Sequence, residues 1–301
     1  MEHMVTKIIE IIVSPLIAFV VGIFFLGLSR KIMARIHWRY GPPITQPLID
    51  IVKLFHQTSV SHGKIFNLGI ILSLAGSVVV VLFVPIGNLF PLSGSGGMLV
   101  ILYIMLFGPL GIALSSGEAA NPNASIGISR KLILALGYEL PLVLILLSVM
   151  SYFRTISIVE IVRAQQETRW ALLSFPLAVP GFAYLLILPA ILGERPFELV
   201  KAPQEISSGP MAEYGGKYLA LATVQHAFSL FVGIALFVNL FLGGSSNPGF
   251  FVIKMAVVFL VEILINAVFP RFRIEQAIKY LWRWPTLVAL AGLILVYVIE
   301  G

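Results

Sequence analysis

Apolar runs of membrane-spanning length recur along the whole chain, and they constrain its fold more than any other feature. A hydrocarbon core of about 30 Å is crossed by roughly 20 helical residues. Eight such runs fall at about 8–29, 67–90, 98–118, 131–152, 173–192, 219–242, 250–270 and 284–300. The composition agrees, with 58% hydrophobic and 11% charged residues in 301, against about 25% charged in soluble domains. None of the runs alternates as a barrel strand would, and lipid leaves no backbone group unpaired, so helices are expected. The first run has no small-residue cleavage site and continues into SRKIMAR, as a retained span rather than a removed signal peptide. The expectation is an all-α integral membrane protein: one polytopic domain over 1–301, with about eight transmembrane helices and additional amphipathic surface helices.

Several chemistries are excluded by what is missing. Cysteine is absent, which removes disulfides, thiol catalysis and cysteine-ligated zinc or iron–sulfur centres from this chain. The Gly-rich stretches GGSSNPG and SGSGG lack the Lys–Ser/Thr ending of a phosphate loop. His3, His37, His56 and His62 are scattered over surface segments without metal-ligand spacing, so no metal is assigned. His226, beside Gln225 inside the sixth run, differs from these, because polar side chains deep in a span face the bundle interior or water. It can serve a polar path or a simple interhelical hydrogen bond.

The net charge of +6 is informative through its distribution between connections; no nucleic-acid partner is expected. All basic residues except Lys7, Arg154, Arg163, Arg169 and Lys254 fall after spans one, three, five and seven. The positive-inside bias then places those connections in the cytoplasm and both termini outside, in a plasma-membrane protein embedded in the lipid bilayer. Segments 30–66 and 193–218 are the long cytoplasmic junction loops.

In this frame Glu118, Glu139, Glu194 and Glu262 fall in the inner half of the membrane. Glu139 is expected about 12 Å inside the end of span four, from a 1.5 Å rise per residue. A charge at mid-membrane costs about 2.5–3.5 kcal/mol on insertion scales, so each needs a partner, water or a function. Glu118 and Glu194 can meet water or pair with Arg195, Lys201 or Arg271. Glu139 and Glu262 have no Lys or Arg within four residues. With Glu198, Glu205 and Glu213 continuing into the loop, a water-lined half-channel from the cytoplasm accounts for all seven acids.

The first connection contains RYGPPITQPLIDIVKLFHQ. Ile44, Leu48, Ile51, Leu54 and Phe55 recur at helical spacing, with Gln46, Asp50, Lys53 and Gln57 on the other face. The reading is a surface helix, either an interfacial anchor or a docking edge for a soluble partner, with Asp50 paired to Lys53 at i, i+3. A second amphipathic stretch, ISIVEIVRAQQETRW, reads as a surface helix on the outer side.

These residues resemble a known family. The motifs SRKIMARIHWRYGPP, QPLIDIVKLF, ASIGISRK, GYELP, PFEL, GPMAEYGGKY and FPRFRIEQAIKYLWRWP run through nearly the whole chain. They are similar to the membrane-anchor subunit of respiratory complex I, called subunit 1, and more closely to its counterpart in energy-converting membrane-bound hydrogenases. The resemblance implies buried glutamates leading inward from a junction with a cofactor-bearing arm. By motif position, Glu139, Glu198, Glu205 and Glu213 match family acids implicated in that path. Arg39, Asp50, Lys53, Arg195 and Tyr214 are assigned to the junction with the redox module.

Departures favour the hydrogenase-like branch, which includes sulfur-reducing relatives. GPPITQP is compact where complex I subunits carry a longer loop at the entrance of the quinone chamber, so no dedicated chamber is expected. A frequent family Glu is Gln225 here, and a frequent Arg is Asn266. The resulting expectation is a noncatalytic anchor and coupling subunit of a ferredoxin-linked hydrogenase-type or sulfur-reducing complex, coupling electron transfer to proton or sodium movement. Its partners would be hydrogenase-like large and small subunits, an Fe–S subunit and antiporter-like membrane subunits. Iron–sulfur clusters and a NiFe or related centre would reside in those partners, with no cofactor in this chain. The alternatives are a quinone-linked anchor and an independent secondary transporter; the latter should show an inverted repeat, and none is evident.

Overall fold

A computed structural model describes residues 2–92, 97–119 and 121–300. Most of the SGSGG stretch lies outside the described residues. Among the described residues twelve α-helices run in order: α1 Glu2–Ile36, α2 Gln46–Phe55, α3 Lys64–Phe83, α4 Met98–Met105, α5 Phe107–Gly117, α6 Pro122–Phe153, α7 Ile158–Glu167, α8 Phe175–Leu192, α9 Pro203–Ile206, α10 Lys217–Phe241, α11 Pro248–Val268 and α12 Ile274–Glu300. Short 3₁₀ turns occupy Ala171–Leu173 and Gly209–Glu213. Among the described residues there is no strand, and eight helical stretches are long and apolar enough to cross a membrane.

Local chemistry moves several boundaries from their expected places. The fourth span begins at Pro122, because the Asn121 side chain accepts from the Asn123 amide at 2.9 Å and Pro122 sits where no amide partner is needed. ASIGISRK is therefore helical, and Glu139 lies seventeen residues into α6, about 26 Å along its axis. The third span is broken between α4 and α5 at Leu106, where Pro109 removes the amide that would bond the Met105 carbonyl. α1 continues to Ile36 and α12 starts at Ile274, so both extend further towards the end carrying the α1–α2 connection. That end holds most of the basic residues and is called the basic end below.

α10 is the hub of the bundle and packs against α1, α3, α8 and α11, while α6 packs on α12 and α8. Phe231, Phe237 and Phe241 of α10 are fully buried, and Phe237 and Phe241 surround Tyr184, which donates to the Gly233 carbonyl at 2.9 Å. α3 and α5 approach through small residues. A Cβ on Gly111 would lie 2.5 Å from the Ser73 amide nitrogen and 2.6 Å from the Gly69 carbonyl oxygen. Such close approach is the usual device for joining helices in lipid, where no hydrophobic force separates helix from solvent.

Both amphipathic segments form helices, with differences of detail. α2 buries Pro47 and Ile51 and leaves Leu48 and Phe55 about half exposed. Asp50 pairs with Arg30 at 3.3 Å and accepts from Gln46 at 2.7 Å, not with Lys53. α7 is docked into the far end of the bundle. Ile158, Ile161 and Val162 are buried, and Gln165 donates to the Asn239 and Leu240 carbonyls while accepting from the Ala171 amide. The Gln165 side chain thus satisfies two carbonyls at the end of α10 and the Ala171 amide of the turn before α8, which turns a surface helix into a cap.

Candidate functional site

A cavity of about 710 Å³ opens at the basic end and reaches into the bundle. Its mouth is formed by α1 and α2 through Arg30, Asp50 and Lys53. Its deep end carries Ser77, Gln225 and Ser229, with the Gln225 amide donating to Ser229 at 2.7 Å and to Ser77 at 3.2 Å. The compact GPPITQP connection therefore does not remove the space that its length suggested would be missing.

Glu194 and Glu198 line this cavity because α8 stops at Gly193, whose φ of 70° is the left-handed conformation that ends a helix, and the chain turns back across the bundle. Glu194 accepts from the Asn266 side chain at 2.8 Å and lies 3.7 Å from Nε2 of His226. Burial alone would raise its pKa, but the His226 imidazole, the Lys201 ammonium and the Asn266 amide more than reverse this, so its carboxyl sits below the ordinary carboxylate value. Glu198 pairs with Arg195 and Arg271, each at 3.2 Å. Glu205 pairs with Arg130 at 2.7 Å and lies 3.9 Å from Arg271. Arg271 thus links two acids of the connection, and sequence order alone held no sign of that.

A second group lies beside the cavity. Glu213 accepts from the Asn121 side chain and lies 3.2 Å from Nε2 of His62. His62 therefore belongs with an acid, which its isolated position in the sequence concealed. Glu118 accepts from the Phe66 amide at the start of α3, and it packs so closely on Gly63 that a Cβ there would collide with the carboxylate. Tyr214 is buried and accepts from Ser116 at 2.8 Å; burial raises its pKa, so the phenol remains protonated.

The two acids deepest in the spans stand differently. Glu262 is buried, and neither carboxylate oxygen has a hydrogen-bond partner. It lies one helical turn from Asn266 on α11, below the Glu194 cluster. Glu139 has one buried oxygen without a partner and does not line the cavity, although Lys131, Leu134 and Tyr138 of the same helix do. Arg39 lies on the exposed α1–α2 connection and joins neither group. The seven acids are therefore arranged as a cavity cluster with Glu262 beneath it, a Glu118–Glu213 pair of sites beside it, and Glu139 apart. Among the described residues no group of three His, Asp or Glu is arranged to hold a metal.

A helical bundle with eight candidate membrane spans, paired carboxylates lining an inward-reaching cavity and two further carboxylates buried in the spans defines a polytopic membrane protein with ionisable groups inside its bundle. Its relatives specify the kind. The family described as NADH dehydrogenase matches residues 8–297, and this chain belongs to that family, which includes complex I subunit 1. Hydrogenase-4 component C of Escherichia coli (strain K12) is 31% identical over 223 residues, covering 72% of this chain and 70% of the relative. A subunit of the F(420)H(2) dehydrogenase of Methanosarcina barkeri is 27% identical over 337 residues, covering 96% of each. A chain in the structure of the membrane-bound sulfane sulfur reductase, an archaeal respiratory membrane complex, superposes with a TM-score of 0.93 at 37% identity, covering 96% of this chain and 99% of that one. The protein is accordingly a multi-pass membrane subunit of the complex I-like respiratory class.

Proposed function

We propose that this chain is the anchor and coupling subunit of a ferredoxin-linked complex of hydrogenase or sulfur-reducing type. In this reading its basic end faces the cytoplasm and carries the redox module on the α1–α2 and α8–α10 connections. Hydrogenase-like large and small subunits and an Fe–S subunit supply the clusters and a NiFe or related centre; antiporter-like subunits move protons or sodium ions. The observation that carries the reading is the placement of acids at graded depth, from Glu205 and Glu198 through Glu194 to the unpartnered Glu262. A carboxylate without a partner in low dielectric responds strongly to charge nearby. Redox events at the junction then alter protonation and local field along the series, with Glu118, Glu139 and Glu213 as its further members. The 37% identity to the sulfane sulfur reductase chain supports this branch.

A second reading, a quinone-linked anchor, is favoured by one observation: the cavity of about 710 Å³ persists despite the compact connection. The discriminating experiment measures hydrogen evolution and polysulfide reduction from reduced ferredoxin by the purified complex, before and after complete quinone extraction. Activity that survives extraction is expected. Loss of both activities, with turnover restored only by added quinone, would overturn the ferredoxin-linked assignment in favour of the second reading.

A further inference from the structure

Two of the three carboxylates lining the cavity are fixed by arginines, Asp50 by Arg30 and Glu198 by Arg195 and Arg271. A guanidinium does not release its proton in a protein, so these pairs hold charge in place. Glu194 has a different partner. Its Oε1 lies 3.7 Å from Nε2 of His226, while Oε2 accepts from Asn266 at 2.8 Å. His226 is partly exposed, and among the described residues it is the one titratable side chain that α10 brings to the cavity. Gln225 beside it is a neutral amide committed to Ser77 and Ser229. The ring is not needed to place Glu194, because the left-handed Gly193 sets the turn and Asn266 holds the carboxylate. Beyond Asn266, Glu262 has both oxygens unpartnered and interacts with Glu194 through space. Glu194 thus stands between a ring open to the cavity and a buried carboxylate with no partner.

Building on the coupling role proposed above, we infer that His226 carries protons between the cavity and Glu194, which makes it the point of entry from the basic end to the acids inside the bundle. Imidazole suits this position because one of its nitrogens takes a proton while the other releases one. In the inward step one ring nitrogen takes a proton from a hydronium ion in the cavity, and Nε2 releases its own to Oε1 of Glu194. The ring ends neutral in its other tautomer, a water molecule is left in the cavity, and the carboxyl is protonated. The reverse step returns the proton. Nε2 has to approach by about 0.5–1 Å to reach hydrogen-bonding distance. The other charges acting on the ring are those of Lys201 and Lys131, which do so through space without a bond to the imidazole. Arg30, Asp50 and Lys53 stand further out, at the mouth on α1 and α2. Glu194 is therefore the group to which the ring passes its proton.

The test uses the purified complex in proteoliposomes and reads ions translocated per electron, with His226→Ala, His226→Gln and Glu194→Gln beside the wild type. Both His226 variants should turn over electrons but translocate roughly tenfold or more fewer ions, the lower end of what a positioned acid–base group contributes. Added imidazole, which can enter the open cavity, should restore translocation in His226→Ala. Pyrazole, a ring of the same size that is much the weaker base, should not, because proton transfer follows base strength. His226→Gln keeps a hydrogen-bond donor beside Glu194, so its deficit separates proton transfer from placement and stands in for the alanine variant should that one fail to assemble. Wild-type translocation in either His226 variant overturns the inference. Equal rescue by imidazole and pyrazole overturns it too, since that would show a ring that only fills space. Glu194→Gln separates this step from the coupling role: a deficit there with full translocation in the His226 variants overturns the inference alone, whereas full translocation in all three variants overturns both.

Discussion

The Asn266 side chain donates to Glu194 across 2.8 Å, tying α11 to the turn that follows α8. One helical turn deeper on α11 lies Glu262, buried with both oxygens unpartnered. A neutral amide therefore separates an engaged carboxylate from an unengaged one, so Glu262 gains no counter-charge from the residue that fixes its neighbour. The contrast governs how each acid answers to pH and substitution.

Glu194 has a pKa below its ordinary value, so its ionised form favours the folded state. That contribution is fully present above the unfolded carboxylate pKa of about 4.3 and is lost as pH falls through the lower folded value. Asn266→Leu removes one of the interactions holding the pKa down. The variant should lose about 1.5 kcal/mol at neutral pH, as for a hydrogen bond to a charged group. Its deficit should shrink on acidification towards the folded pKa. Thermal melts of the solubilised complex across acid pH would reveal this convergence, and a pH-independent deficit would count against it.

Glu139→Gln and Glu213→Gln keep shape while removing the titratable charge. Both complexes should assemble and turn over electrons, with ion translocation reduced about tenfold or more. The readout is ion-gradient formation per electron in proteoliposomes. Full gradients in both variants would return these acids to a structural role.

Gly111→Val should separate α3 from α5, because even a Cβ at that position falls 2.5 Å from the Ser73 amide nitrogen. Overpacking of this kind costs about 1–3 kcal/mol or more. The variant should yield markedly less folded protein by size-exclusion chromatography, whereas Gly117→Ala, which has open space, should not. Equal yields would show that the two helices can part without penalty.

Trp38→Cys and Ser246→Cys test orientation in a chain whose natural sequence contains no cysteine. The α1–α2 connection should react with an impermeant maleimide only in inside-out vesicles, and position 246 only in right-side-out ones. The reverse pattern would invert the placement of every acid and the docking side with it.

Length and hydropathy were enough to establish a helical membrane bundle and its eight candidate spans, because lipid forces the backbone into helices and leaves intramembrane charges conspicuous, while the complex I-like family was legible from motifs such as GYELP and GPMAEYGGKY. ASIGISRK did not read as part of a span, since a polar first turn outside the apolar run looks like a loop until Asn121 is seen capping it. Pairing was decided only by the fold. Arg30 and Asp50, His62 and Glu213, and Arg271 with Glu198 and Glu205 are distant in sequence. They meet because α1, α2, α3 and the turns around α9 converge at one end of the bundle. The acids pointed to a half-channel, but only the packed helices showed the cavity's lining, which includes Glu194 and Glu198 of the seven acids, and the length of one connection did not predict its size. A single chain encodes which side chains are costly to bury, but only the packed bundle determines which of them find a partner.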